Sequence, residues 1–230
     1  MFVKVFLIEF RMSKFTLKNY SMDIPVVLLV LMLINLAVSY KGINDISFFR
    51  KYEFHIGSVR AGEQYRMFTS AFLHADYMHL GFNMLTLYFF APVVIAHMGT
   101  LGFLLVYFIS MAAGSMLTLY FHKDEYSYRA IGASGAVMGV LFSSILIYPD
   151  MEINFIPGYI FGVIYLLLTI YGMKTKAGNI GHTAHFGGAI GGFIFTLIKM
   201  PYILFDNTLI VIFLAVPIVI LLVMSKFGKL

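Results

Sequence analysis

Ser134 lies between glycines in the run GASG, near the head of a twenty-residue stretch, Ala130–Pro149, that carries no Asp, Glu, Lys or Arg. A hydroxyl there does chemistry only if a neighbouring group takes its proton. His185, in AHFGGAIGG, is of the right type. An imidazole within hydrogen-bond reach of a serine removes the hydroxyl proton and later protonates a leaving amine, the minimum apparatus of nucleophilic acyl transfer. The oxyanion that forms then needs donors. His79 and Asn83, in HADYMHLGFNM, are four residues apart and share a helical face. With the backbone N–H of Ser134 they are the donors on offer, and one such donor typically contributes about 10²–10³ in rate.

The elements that must position these groups are membrane spans. Of 230 residues, 60% are hydrophobic and 12% charged, with mean hydropathy +0.89; soluble domains average about 25% charged. The chain reads as an all-α polytopic membrane protein. Windows free of Asp, Glu, Lys and Arg fall at Ile24–Tyr40, Tyr77–His122, Ala130–Pro149, Ile153–Met173, Ala177–Ile198 and Asn207–Ser225, and about 20 apolar residues suffice to cross a bilayer. The second window is too long for one helix and breaks at His97–Thr100, within AHMGT. Six spans plus a C-terminal one carrying Pro217 result. In such a serpentine the second, fourth and sixth spans run in one direction, so His79/Asn83, Ser134 and His185 start at one depth. Gly188 and Gly192 share the face of His185, and Gly135 and Gly139 form a second small-xxx-small pair after Ser134; helices faced this way approach closely.

Absences narrow the chemistry. The charge-free windows hold no carboxylate, which removes an aspartyl intramembrane protease, a zinc protease of the HExxH type and the usual proton-coupled transporter. With no cysteine there is no thiolate nucleophile or disulfide. His74, His79, His182 and His185 lack a carboxylate or thiol to complete a familiar metal set, so neither metal nor cofactor is expected. The net charge of +5 suits anionic lipid, and no dense Lys/Arg cluster suggests nucleic acid. Taken singly, a membrane serine bonds back to its own helix, His74 packs a loop, and glycine pairs serve packing whether or not a site is active.

Two segments lie outside the spans. Residues 1–23 space Lys4, Arg11 and Lys18 seven apart among Phe, Leu and Val, the pattern of an interfacial helix or of a basic tail. Lys41–Asp76, 36 residues, is long enough to be functional or to lie on the membrane surface. Lys and Arg are too evenly divided between the two faces for charge to set the orientation.

The three motifs together, H-x4-H-x3-N, G-x-S-G and A-H-x-G-G, in order and at the starts of the second, fourth and sixth spans, resemble the rhomboid family of intramembrane serine proteases. The resemblance covers the first span to the sixth. It implies a rhomboid-like core over residues 24–200 with an additional C-terminal helix over 201–230. It implies Ser134 as nucleophile, His185 as general base, and an oxyanion hole from His79, Asn83 and the Ser134 backbone, with Gly132 and Ala133 shaping the approach. Phe82 matches an aromatic that helps close lateral access between the second and fifth spans. Tyr65-Arg66 is similar to the family's Trp-Arg pair, and Gly188, within AHFGG, is taken with Phe82, Arg66 and Gly132 as a gating or structural position. Ile95 stands where many bacterial members carry a structural Glu. Also implied are a cytoplasmic N-terminus in the cell membrane, a site opening to the extracytoplasmic face, loop Lys174–Thr183 as a lid, and transmembrane proteins as substrates. The alternative is a non-catalytic rhomboid-fold protein that binds membrane clients.

Overall fold

The computed structural model describes residues 24–153, 155–176 and 181–230. The N-terminal 23 residues and the centre of the loop expected as a lid lie outside the described residues. The chain is a helical membrane protein. Its helices are α1 (Val26–Asn44), α2 (Ile46–Tyr52), α3 (Ile56–Arg60), α4 (Arg66–Thr69), α5 (Tyr77–Phe121), α6 (Ser134–Ile147), α7 (Gly158–Thr175), α8 (His182–Lys199), α9 (Ile203–Asp206) and α10 (Thr208–Lys226). Helices α1, α5, α7 and α10 are long and apolar enough to cross a bilayer. At 45 residues α5 is two spans, broken at Gly99, where φ is +70°. Only glycine adopts that backbone without strain, so the break falls within the expected AHMGT stretch.

α6 differs from expectation. The charge-free window spans twenty residues, but the helix is 14, about 21 Å at 1.5 Å per residue, against about 30 Å of hydrocarbon. The residues before it are otherwise engaged. Arg129–Ala130 forms β2, paired antiparallel with β1 (Phe54–His55), and Gly132 has φ +110°, which no helix accommodates. Every residue from Gly135 to Leu146 is buried, so α6 is the central post around which α5 and α8 pack. In the same way α7 begins at Gly158 rather than Ile153, because Glu152–Ile153 (β3) and Ile156–Pro157 (β4) form a hairpin.

α6 and α8 meet through glycines. A Cβ at Gly188 would collide with the Gly135 carbonyl, and one at Gly192 with that of Gly139. Hydroxyls tie the same interface, with Thr196 donating to Ser143 Oγ at 2.7 Å, while Ser144 donates to Phe90 O on α5 at 2.8 Å. α10 packs on α7, where a Cβ at Gly162 would lie 2.8 Å from Leu214 Cδ2 and Tyr159 meets Phe213 edge-on at 6.2 Å. The C-terminal helix therefore supports α7 rather than the centre.

The 36-residue first loop is folded. Arg66, 8% exposed, donates to the carbonyls of Arg50 at 2.8 Å and Glu53 at 3.0 Å and pairs with Glu63. The buried carboxylate of Glu53 receives Arg50 at 3.1 Å and also Arg129. Through that pair and the β1–β2 contact the loop grips the strand that leads into Ser134. Arg66 is thus a staple of the loop. At the far end of the first half of α5, Ile95 packs against the apolar core, and His97 Nδ1 lies 2.8 Å from the carbonyl of Val93, one turn earlier on the same helix.

Candidate active site

Ser134 opens α6, and its N–H, like those of the next residues, has no partner inside the helix. The two amides before it are occupied. Gly132 N donates to Ser70 O at 3.0 Å, and Ala133 N to His74 Nε2 at 3.3 Å. A Cβ at Gly132 would lie 2.7 Å from His79 Cε1 and 2.9 Å from Nε2, so the glycine lets the imidazole stand directly over the turn.

His79 is placed by Asp76, whose carboxylate caps α5 by accepting from His79 N at 2.7 Å. One turn on, the buried Asn83 donates through Nδ2 to His79 O at 3.0 Å. An amide nitrogen carries two hydrogens, so one remains for a ligand. Phe82 is half-buried beside it.

His185 is in the first turn of α8 and comes to Ser134 through the glycine contacts. A Cβ at Gly135 would lie 3.1 Å from the carbonyl of Ala184, so the residue after the serine touches the residue before the histidine. Among the described residues no hydrogen bond joins Ser134 Oγ to His185; the imidazole's Nδ1 is instead 2.9 Å from Tyr165 Oη on α7. Resting sites of this type often tighten only when substrate is bound.

Behind the Gly132–Gly135 turn is a cavity of ≈ 30 Å³ whose lining includes Ser70, Ser115, Thr118 and Ala184. That is room for about two waters among hydroxyls that can bind them.

His74, expected to pack a loop, does more. It is fully buried, its ring meets that of His79 edge-on at 4.9 Å, and its Nδ1 lies 2.8 Å from Ser39 Oγ. Ser39 gives its own proton to Phe72 O at 2.9 Å, so Nδ1 is the donor and Nε2 is free to accept from Ala133. This is the neutral tautomer. Burial, with the neighbouring His79 adding to it, pushes His74 down to about 3. Below pH 6.5 the unfolded chain binds a proton that the folded one refuses, so this group's contribution is complete above pH 6.5. It falls by about 1.4 kcal/mol per pH unit as pH drops toward 3. The unfolding midpoint of His74→Gln should be lower than the wild type at pH 7 and vary less between pH 7 and 5. Parallel profiles would show that His74 does not carry this linkage.

Residues 61–202 match the family described as the rhomboid domain. The chain belongs to the rhomboid family. It is 30% identical over 135 residues to the rhomboid protease GluP of Bacillus subtilis (strain 168), covering 59% of this chain and 26% of that protein. It is 26% identical over 172 residues to the mitochondrial RHOMBOID-like protein 12 of Arabidopsis thaliana, covering 66% and 51%. It is 30% identical over 135 residues to the mitochondrial rhomboid protein 1 of Saccharomyces cerevisiae, covering 55% and 39%. The chain thus spans between about a quarter and a half of these relatives' lengths. Three neighbours of the site were not singled out by sequence reasoning: Ser39, Ser70 and Tyr165. Each lies in a different segment from its partner, and no spacing rule connects them.

Proposed function

We propose that this rhomboid is an intramembrane serine endopeptidase that hydrolyses peptide bonds in or near transmembrane segments of other membrane proteins. The observation that carries the reading is the convergence of the α6 N-terminus, with Ser134, on the first turn of α8, with His185, across a glycine-faced contact. His79 stands over the same turn, with Asn83 one helical turn further along α5. Ser134 Oγ attacks the scissile carbonyl while His185 Nε2 takes its proton. The oxyanion is received by the Ser134 N–H, the remaining Asn83 amide hydrogen and the His79 ring. His185 then protonates the leaving amine, and water from the cavity behind Gly132 hydrolyses the acyl-enzyme. A substrate helix hides its carbonyls in its own hydrogen bonds, so it must unwind locally, and small or helix-weakening residues favour that.

Residues 24–200 form the catalytic core in this reading, with the last span an addition that braces α7. The protein sits in the cell membrane with the site opening to the extracytoplasmic face.

The test is to treat the detergent-solubilised protein with a fluorophosphonate probe and to map the adduct by mass spectrometry, with a known active rhomboid in parallel. An adduct on Ser134, together with cleavage of a single-span substrate in reconstituted vesicles, is the expected result. No adduct on this chain while the control labels would reject proteolysis in favour of client binding.

A further inference from the structure

Among the described residues, a side chain outside those already assigned hydrogen-bonds the proposed base. Tyr165 Oη lies 2.9 Å from His185 Nδ1. The two rings are roughly parallel, 26° apart, with centroids 6.5 Å from each other, and Phe161, one turn earlier on α7, continues the stack onto Tyr165 at 6.0 Å and 20°. We propose that Tyr165 is the positioning residue for His185, its hydroxyl oxygen accepting from Nδ1–H and so keeping Nε2 unprotonated toward Ser134.

Imidazole has two neutral tautomers, and the hydrogen bond made by one nitrogen selects which is present. With the proton on Nε2 the base cannot take one from Ser134. In many hydrolases a carboxylate enforces the productive tautomer, but none of the charge-free spans here offers one. A phenol oxygen is a weaker acceptor and, unlike a carboxylate, places no charge in a low-dielectric site. The contact also links two helices. His185 is on α8, whereas Tyr165 is on α7, which also packs on α10 where Gly162, three residues earlier, meets Leu214. The tautomer of the base therefore depends on where α7 stands.

This inference rests on the proteolytic reading for its kinetic consequence, though not for its structural one. Tyr165→Phe keeps the ring, its volume and its stack, and deletes only the hydroxyl. The full-length protein is labelled with ¹⁵N-histidine, and the His185 signal is assigned by its absence from His185→Gln. The wild type should show the Nδ1–H tautomer and Tyr165→Phe a shift toward Nε2–H, with the unfolding midpoint nearly unchanged. Labelling by the fluorophosphonate and kcat for a transmembrane substrate should both fall about 10- to 100-fold, part of the 10²–10⁴ that a positioned base supplies, with KM unaltered. An Nε2–H tautomer in the wild type, or the same tautomer in both proteins, overturns the proposal, as does an unchanged labelling rate. If the wild type fails to label at all, the proteolytic reading fails, and the tautomer comparison still decides the role of Tyr165.

Discussion

Replacing Ser134 by alanine should abolish cleavage of a single-span substrate in reconstituted vesicles, a loss of about 10⁴-fold or more. His185→Ala should lose about as much, and the double variant no more than either. In a serine hydrolase a nucleophile and its base act as one unit, and removing either member leaves only the residual effect of binding and oxyanion donors. Helix α6 is buried from Gly135 to Leu146, whereas Ser134 at its head is only half-buried. Losing one hydroxyl there leaves the packing intact, so unfolding midpoints should stay within a degree or two. Cleavage retained by Ser134→Ala, measured as product on a gel over a day of incubation, would show that another residue is the nucleophile. Strictly additive losses in the double variant would show that the two residues do not work as a pair.

The second large effect comes from a single methyl group. Gly188→Ala places a Cβ into the Gly135 carbonyl. That atom is backbone and belongs to the residue after Ser134, so the strain cannot be relieved by a rotamer change. α6 and α8 must separate, at an overpacking cost of about 1–3 kcal/mol. A displacement of about 1 Å between groups that must meet for proton transfer costs on the order of 10² in rate. The variant should therefore unfold earlier and cleave at least about 100-fold more slowly. Gly81→Ala supplies the contrast. Gly81 lies on the same turn of α5 as His79 and Asn83, but nothing stands within 4 Å of the Cβ it would gain, and alanine is the better helix former by about 1 kcal/mol. Equal unfolding midpoints for Gly188→Ala and wild type would mean that the glycine contact is looser than its geometry here.

Much of this arrangement was legible in the residues themselves. Freedom from charge over about 20 residues is a requirement of the bilayer, so α1, α5, α7 and α10 could be recognised as spans without coordinates, and the break of α5 at Gly99 follows from a backbone angle that glycine alone adopts freely. Helix parity leads to the expectation that His79, Asn83, Ser134 and His185 start at one depth, and the small residues four apart on α6 and α8 do meet. The length of α6 was not legible. Charge-free composition runs back to Ala130, but pairing of Arg129–Ala130 with the first loop draws those residues out of the helix. Nor were the partners that orient the imidazoles. His74 binds Ser39, 35 residues earlier, and Ala133, 59 residues later, and Tyr165 reaches His185 from another span. Periodicity reports the face a residue occupies on its own helix. It does not report the rotation and tilt of the neighbouring helix, which follow from how glycines, hydroxyls and aromatic rings pack together, and those set which oxygen meets which ring nitrogen.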